Sequence, residues 1–262
     1  MVIFFMKVLI TGAYSGIGYL TALTLAYRDH KVFLTCHTNN EAKELKRKLK
    51  NIKNIKVLKI DITKQDDIKK VLDLDIDVLY SNAAMAYSSS IIEADINKVK
   101  ECFDVNVFSN FKLVKLILRQ MINKNSGKVV LASSVASEIS IPFLGIYSAT
   151  KASITTIGKA LQKELYLINK NVKVVIIEPG LYHTGFNQKL LNSKYNNGKY
   201  FKDIKDKIYN IEHLLFKLAE EKRLDSIVIK IIRAIEDKNV KSIYRAPFIY
   251  NYLIKLYEVF RK

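Results

Sequence analysis

Cysteine is almost lacking: Cys36 and Cys102 are the only two in 262 residues, far apart and outside any CxxC spacing. That excludes a disulfide-built scaffold and a cysteine-rich zinc module, and it points to a reduced compartment, the cytoplasm. The four histidines, His30, His37, His183 and His213, include no i, i+4 pair, so no catalytic metal is expected. Long apolar runs are missing as well. Charged residues interrupt every such stretch well short of a bilayer span, and the apolar start Met1 to Phe5 is too short for the core of a signal peptide. Acidic residues are outnumbered, 25 against 43 basic, for a formal charge of +18. Such a charge suits a nucleic acid, a phosphorylated ligand or an anionic membrane. Lysine is nevertheless spread along the whole chain with no arginine cluster and no nucleic-acid motif. The charge therefore reads as solvated helix faces, and no nucleic-acid partner is expected.

With 49% of its residues hydrophobic, the chain can bury a full core. Short runs rich in β-branched residues, Lys7–Ile10, Val32–Thr35, Val57–Ile60, Val78–Tyr80, Lys128–Leu131 and Val172–Ile177, alternate with helical patterns over Gly16–Arg28, Glu41–Lys50, Ile96–Asn123, Tyr147–Ile168 and Asp225–Glu236. Continuous apolar strands between helices predict a parallel sheet covered on both faces, the doubly wound α/β architecture of the Rossmann fold. No linker or internal boundary interrupts it, so 1–262 is expected to form one domain. The stretch 185–223 breaks the rhythm with the polar run Asn192 to Gly198. Following a strand's carboxyl end, it is expected to overlie the ligand crevice as a substrate lid.

Directly after the first strand comes Thr11-Gly12-Ala13-Tyr14-Ser15-Gly16-Ile17-Gly18, leading into a helix. Glycines here let backbone turn sharply and approach a pyrophosphate, while the new helix offers unpaired N–H groups and a positive dipole end. The sequence resembles the TGxxxGIG signature of the short-chain dehydrogenase/reductase family, and the resemblance continues in order from Lys7 to Thr184. It implies cofactor contacts from Gly12, Tyr14, Ser15, Gly16, Ile17 and Gly18, from Asp61 and Ile62 after the third strand, and from Asn82-Ala83-Ala84 after the fourth. Pro179-Gly180 and Thr184 match the place where the family binds the nicotinamide end. Ala84 departs from the family's usual glycine.

The resemblance also implies a catalytic group of Asn106, Ser134, Tyr147 and Lys151. Tyr147 and Lys151, four apart on a helix, share one face. A free phenol titrates near ~10, and a neighbouring ammonium favours the phenolate. Ser134 would hydrogen-bond the reacting oxygen, with Ser133 the less favoured neighbour, and Asn106 would hold a water beside the lysine. Lys151 would also bind the nicotinamide ribose. Read alone, Asn106 and Ser134 also suit helix or turn caps.

The second strand ends Thr35-Cys36-His37-Thr38-Asn39-Asn40, without a carboxylate to repel a 2′-phosphate. His37 stands where NADP-preferring relatives carry arginine, and Thr38 can donate a hydrogen bond; Glu41 reads as one helical turn too far along. NADP(H) is therefore expected ahead of NAD(H), although Thr38 to Asn40 serve equally well as helix caps. The proline-bearing approach Ile141 to Ile146 resembles lipid, sterol and general carbonyl reductases, so a hydrophobic ketone or aldehyde ranks first as substrate and a 3-oxoacyl thioester second. A cofactor-binding regulator without turnover is the alternative class, against which the intact four-residue group argues. Members of the family pair through helices corresponding to Ile96–Asn123 and Tyr147–Ile168, which implies a homodimer or homotetramer. The carboxyl end, 247–262, reads as an amphipathic helix starting at Pro247, with Phe248, Ile249, Tyr252, Leu253, Leu256, Val259 and Phe260 on its apolar face. It is expected to wall the pocket or to tether the enzyme at a membrane through Lys255, Arg261 and Lys262.

Overall fold

The computed structural model describes residues 5–168, 171–193, 199–204, 210 and 220–260. Strands β1 (Lys7–Ile10), β2 (Lys31–Cys36), β3 (Ile55–Lys59), β4 (Val78–Ser81), β5 (Gly127–Ala132), β6 (Val172–Pro179) and β7 (Ile243–Ala246) form one parallel sheet in the order β3-β2-β1-β4-β5-β6-β7. Alternate residues of each strand face opposite sides, and both sides are covered. Val8 and Ile10 of β1 enter a core with Val32, Leu34 and Val130, against α1 (Gly16–Ala26), α2 (Asn39–Lys48) and, later in the chain, a helix over Asp225–Glu236. Leu9 enters the opposite core, with Leu79, Val129 and Leu131. The chain reverses its winding direction between β1 and β4, and the carboxyl ends of these strands therefore open a crevice there.

Among the described residues the further helices are α3 (Gln65–Lys69), α4 (Ile96–Phe103), α5 (Asn110–Asn123), α6 (Gly145–Ile168), α7 (Phe186–Ser193), α8 (Asp225–Glu236) and α9 (Ile249–Phe260). The expected single helix over Ile96–Asn123 is interrupted by a π-helical turn, Asp104–Ser109. At its end the Asn110 side-chain amide donates to Val105 O at 2.9 Å and Asn106 O at 3.3 Å, two carbonyls within the turn. Strand β7, a four-residue piece at the sheet edge, was not among the expected strands.

The carboxyl end differs from its expectation in two ways. The helix begins at Ile249, after Pro247, and it turns Tyr250 and Ile254 inward against Val135, Ile139 and Leu181. Phe248, Ile249, Tyr252, Leu253 and Leu256, of the expected apolar face, are 43–66% exposed. The small apolar cluster offered by the sheet ends accommodates one i, i+4 stripe, and Tyr250 with Ile254 is that stripe. The side chains of Val259 and Phe260 and all of Arg261 and Lys262 lie outside the described residues, as do His213 and, in the expected lid, residues 194–198, 205–209 and 211–219. No helix among the described residues is long and apolar enough to cross a membrane.

Candidate active site

Thr11 closes β1 with a fully buried hydroxyl that accepts from the N–H groups of Asn82 at 2.9 Å and Ala83 at 3.0 Å. In return, the Asn82 amide donates to Thr11 O and Gly12 O, both at 3.0 Å. The ends of β1 and β4 are thereby stitched together beneath the crevice. Gly12 adopts φ +61°, and a Cβ there would stand 2.6 Å from Ala83 Cα, so backbone meets backbone where only glycine fits. At the start of α1 the N-cap residue Ser15 makes no side-chain capping bond. The helix's first N–H groups and its positive end are left to serve an anion. Sequence reasoning passed over Thr11 and also Asn110, which accepts from Ser81 Oγ at 2.6 Å and donates to Ala83 O at 3.0 Å. A buried threonine just before the first glycine was the available signal.

One cavity of about 1710 Å³ runs along this crevice. Cavities for ligands of drug size occupy roughly 300–1,000 Å³, so this one has room for a dinucleotide and a second molecule. Gly12, Ser15, Gly16, Ile17 and Gly18 line it beside Asn82, Ala83 and Ala84. Tyr14 instead turns its hydroxyl to Glu44 at 2.6 Å, which removes its side chain from the expected cofactor contacts.

His37, Glu41, Asp61 and Ile62 line the end of the cavity beyond β2 and β3. Burial pushes the Asp61 carboxyl up, but bonds from Thr63 N at 3.0 Å and Thr63 Oγ1 at 2.7 Å, together with His37, outweigh it and hold the group below the ordinary carboxylate range. The exposed His37 ring places Nε2 3.3 Å from Asp61 Oδ2. Thr38 caps α2, its Oγ1 accepting from Glu41 N at 3.2 Å, which leaves the hydroxyl proton as its one donor. Glu41 completes this capping box: its Oε2 accepts from His37 N at 2.9 Å and Thr38 N at 3.0 Å. Its carboxylate thus folds back to the end of β2, one turn nearer than the sequence spacing suggests, and the premise that no carboxylate stands there does not hold.

At the other end Tyr147 and Lys151 of α6 meet Ser134, the residue two past β5. Tyr147 is 8% exposed; burial pushes its phenol above the ordinary value, and a hydrogen bond with Ser134 draws it back. Lys151, 4% exposed, is pulled by burial down to about 8. Its ammonium donates to Ala132 O at 2.9 Å and lies 5.7 Å from the Tyr147 ring centroid. Ser134 also caps the turn that follows it, accepting from Ala136 N at 3.1 Å, so the capping role and the place in the cavity coexist. Ser133 commits its hydroxyl to Lys151 O, donating at 3.0 Å. Asn106 is committed on both sides of its amide: Oδ1 accepts from Met85 N at 2.6 Å, and Nδ2 donates to Met85 O at 3.0 Å and Thr150 Oγ1 at 3.1 Å. It ties the segment after β4 to α6. Pro179, Gly180 and Thr184 enter the same end, and Tyr250 of α9 fills the place a Gly180 side chain would take, 2.1 Å from a Cβ there.

Residues 6–194 match the family model described as short chain dehydrogenase. The chain belongs to the short-chain dehydrogenase family. Members of this family are oxidoreductases acting on CH–OH and C=O groups with NAD or NADP. Estradiol 17-beta-dehydrogenase 11 of Macaca fascicularis is 33% identical over 187 residues, covering 68% of this chain and 62% of the macaque protein. The 3-ketodihydrosphingosine reductase of Bacteroides thetaiotaomicron is 29% identical over 185 residues, covering 68% of this chain and 65% of that enzyme. The matched stretch therefore spans less than two thirds of either relative. A short-chain dehydrogenase/reductase of Burkholderia phymatum, solved in complex with NAD, superposes with a TM-score of 0.83 at 18% identity, over 99% of this chain and 95% of its own. ElxO, solved with NADP bound, gives 0.72 at 21% identity, over 92% and 97%. As a short-chain dehydrogenase the chain thus shares its fold with proteins solved with either dinucleotide.

Proposed function

We propose that the chain is an NAD(P)(H)-dependent oxidoreductase that interconverts a hydrophobic ketone or aldehyde and its alcohol. The observation that carries this reading is the convergence of Tyr147, Ser134 and Lys151 at one end of a cavity whose floor is the glycine loop. The glycine cradle and the uncapped start of α1 fit a pyrophosphate, and the cavity is long enough for a dinucleotide. When bound, the nicotinamide supplies or takes up a hydride at the carbonyl carbon. Ser134 donates a hydrogen bond to the carbonyl oxygen where negative charge develops. Tyr147 gives its phenolic proton to that oxygen, so the O–H bond of the phenol breaks as that of the product alcohol forms. The raised phenol favours the protonated donor needed for reduction at neutral pH. Lys151 places a positive charge under the resulting phenolate, and Asn106 holds the cavity wall against α6.

Apolar side chains wall the reacting end: Leu144 and Leu190 pack with Tyr147, Phe186 lies 5.6 Å from its ring, and Phe143 meets Phe201 edge to face at 5.2 Å. Such walls suit a long hydrocarbon better than a small polar alcohol. The names of the two relatives, a steroid dehydrogenase and a ketosphingosine reductase, support the same substrate class. For the cofactor, Glu41 and Asp61 place two carboxylates at the adenosine end against one imidazole that already faces Asp61. This electrostatic balance favours the hydroxyls of NAD(H) over the 2′-phosphate of NADP(H), reversing the preference drawn from the carboxylate-free end of the second strand and from His37.

Tyr147→Phe tests the reading. It should reduce turnover of ketones and aldehydes by a factor on the order of 100 or more while the dissociation constant of the reduced dinucleotide stays within about twofold of the parent. Near-parental turnover in this variant would remove Tyr147 from the chemistry.

A further inference from the structure

Beneath the reacting end lies a group of charges outside the cavity lining, fully buried at Glu178, partly buried at Arg245 and Glu138, and reaching solvent at Lys159. Glu178, the next-to-last residue of β6, is fully buried, and its register partner in β7 is Arg245. Arg245 Nε donates to Glu178 Oε2, and its Nη2 lies 3.5 Å from Glu138 Oε1. Lys159 of α6 approaches that same Glu138 oxygen at 3.7 Å. Two carboxylates therefore face two cations. An ion pair removed from water recovers its desolvation cost only through good geometry, and an apolar pair of similar volume holds two strands together at least as well. Direction is what the apolar pair lacks.

The directions lead to the catalytic group. Glu178 Oε1 stands 3.4 Å from Thr155 Oγ1, which also meets Ser133 Oγ at 2.7 Å and Ser137 Oγ at 3.3 Å. Ser133 donates to Lys151 O at 3.0 Å, and Ser137 donates to Ser134 O at 2.7 Å. Glu138 follows Ser137 in the same turn. Both branches end on peptide oxygens rather than on the lysine amine or the serine hydroxyl, so the array carries no proton to the reacting atoms. It can only hold them. We propose that the Glu178–Arg245 pair is a positioning device that, through Thr155 and Glu138, clamps the turn carrying Ser134 to the helix carrying Tyr147 and Lys151. The proposal rests on the oxidoreductase reading of that group.

Two variants test it, Glu178→Gln and the charge-free double variant Glu178→Leu with Arg245→Met, each compared with the parent at a temperature where circular dichroism shows it folded. Both should lower kcat on the order of tenfold or more, the scale of a slight misplacement of reacting groups, with dinucleotide affinity unchanged. The double variant should recover the melting temperature that Glu178→Gln loses and yet not recover kcat. Parental kcat in the double variant overturns the proposal and leaves the pair a purely structural one. A second readout needs no turnover: the phenolate absorbance of Tyr147, isolated by subtracting the Tyr147→Phe version of each protein, should titrate at a different pH in the variants. An unchanged titration overturns the proposal too. If the parent reduces no carbonyl compound, the oxidoreductase reading is what fails, and this titration alone decides whether the pair positions Tyr147.

Discussion

Glu41 occupies the third position of α2, yet the capping box returns its carboxylate to the end of β2, where a ribose hydroxyl and a 2′-phosphate are told apart. Both capping bonds use Oε2, so the capping role and the recognition role do not compete for one oxygen. Removing the charge while keeping the shape should separate the two. Glu41→Gln is expected to weaken the preference for NADH over NADPH on the order of tenfold, which is about 1.4 kcal/mol, and adding His37→Arg should shift it further toward NADPH. Titration of the reduced dinucleotides by their own fluorescence gives both constants without a substrate. A parent protein that binds NADPH more tightly than NADH would sink the assignment and return the decisive role to His37. The case also shows a limit of reading residues by spacing. Asn82 and Lys151 stand where their motifs suggest, because glycine loop, strand end and helix face impose their positions. Glu41 and Tyr14 do not: the Glu41 carboxylate returns to the N–H groups of His37 and Thr38, and the Tyr14 hydroxyl goes to Glu44 on another helix, contacts that spacing does not reveal.

At the scale of elements, legibility followed how strongly a segment's pattern constrains it. Strand β1 and helix α8 lie where their apolar periodicity puts them. The π turn at Asp104–Ser109 leaves no trace in periodicity, because one wider turn scarcely shifts the apolar face. Strand β7 is too short and too mixed, Ile-Tyr-Arg-Ala, to announce itself. For α9, amphipathicity marked the helix, and the stripe that packs on the chain's own sheet ends is Tyr250 with Ile254, while Phe248, Ile249, Tyr252, Leu253 and Leu256 stay exposed. Tyr250 is the informative contact: it lines the cavity, fills the space beside Gly180, and accepts from Leu181 N at 3.3 Å. Tyr250→Ala should therefore raise the Michaelis constant for long apolar carbonyls severalfold, since a buried aromatic ring is worth roughly 3–5 kcal/mol of packing and only part of it bears on the substrate. Steady-state kinetics with a chain-length series measures this. A uniform fall in kcat with no dependence on substrate length would mean that α9 supports the nicotinamide end instead of the substrate.

For the molecule as a whole, charge and burial act together on acid stability. The chain carries a large excess of positive charge at neutrality, and acidification removes its 25 carboxylates while its 43 basic residues stay charged, so self-repulsion grows as pH falls. Several carboxylates are also held in the folded state. Burial raises Asp67, but Lys59 at 2.6 Å, Lys70 at 2.5 Å and Asp61 N at 2.9 Å pull it far below the ordinary range, and Glu236 is lowered by Arg28 and His30 against the same burial effect. A folded-state value below the unfolded one means stabilisation that is complete above about pH 4 and is lost as pH falls through the folded value. Asp67→Asn should therefore cost about 2 kcal/mol at neutral pH, the scale of lost charge-assisted hydrogen bonds, and progressively less on acidification until the two proteins unfold alike. Denaturant titrations at intervals from neutrality down to about pH 2 follow the difference as it shrinks. Added salt screens the overall repulsion in both proteins and also weakens the pairing of Asp67 with the exposed Lys70, so it should stabilise both in acid and narrow the difference between them. A deficit of Asp67→Asn that stays constant down to the lowest pH would show that Asp67 acts through packing and not through its charge.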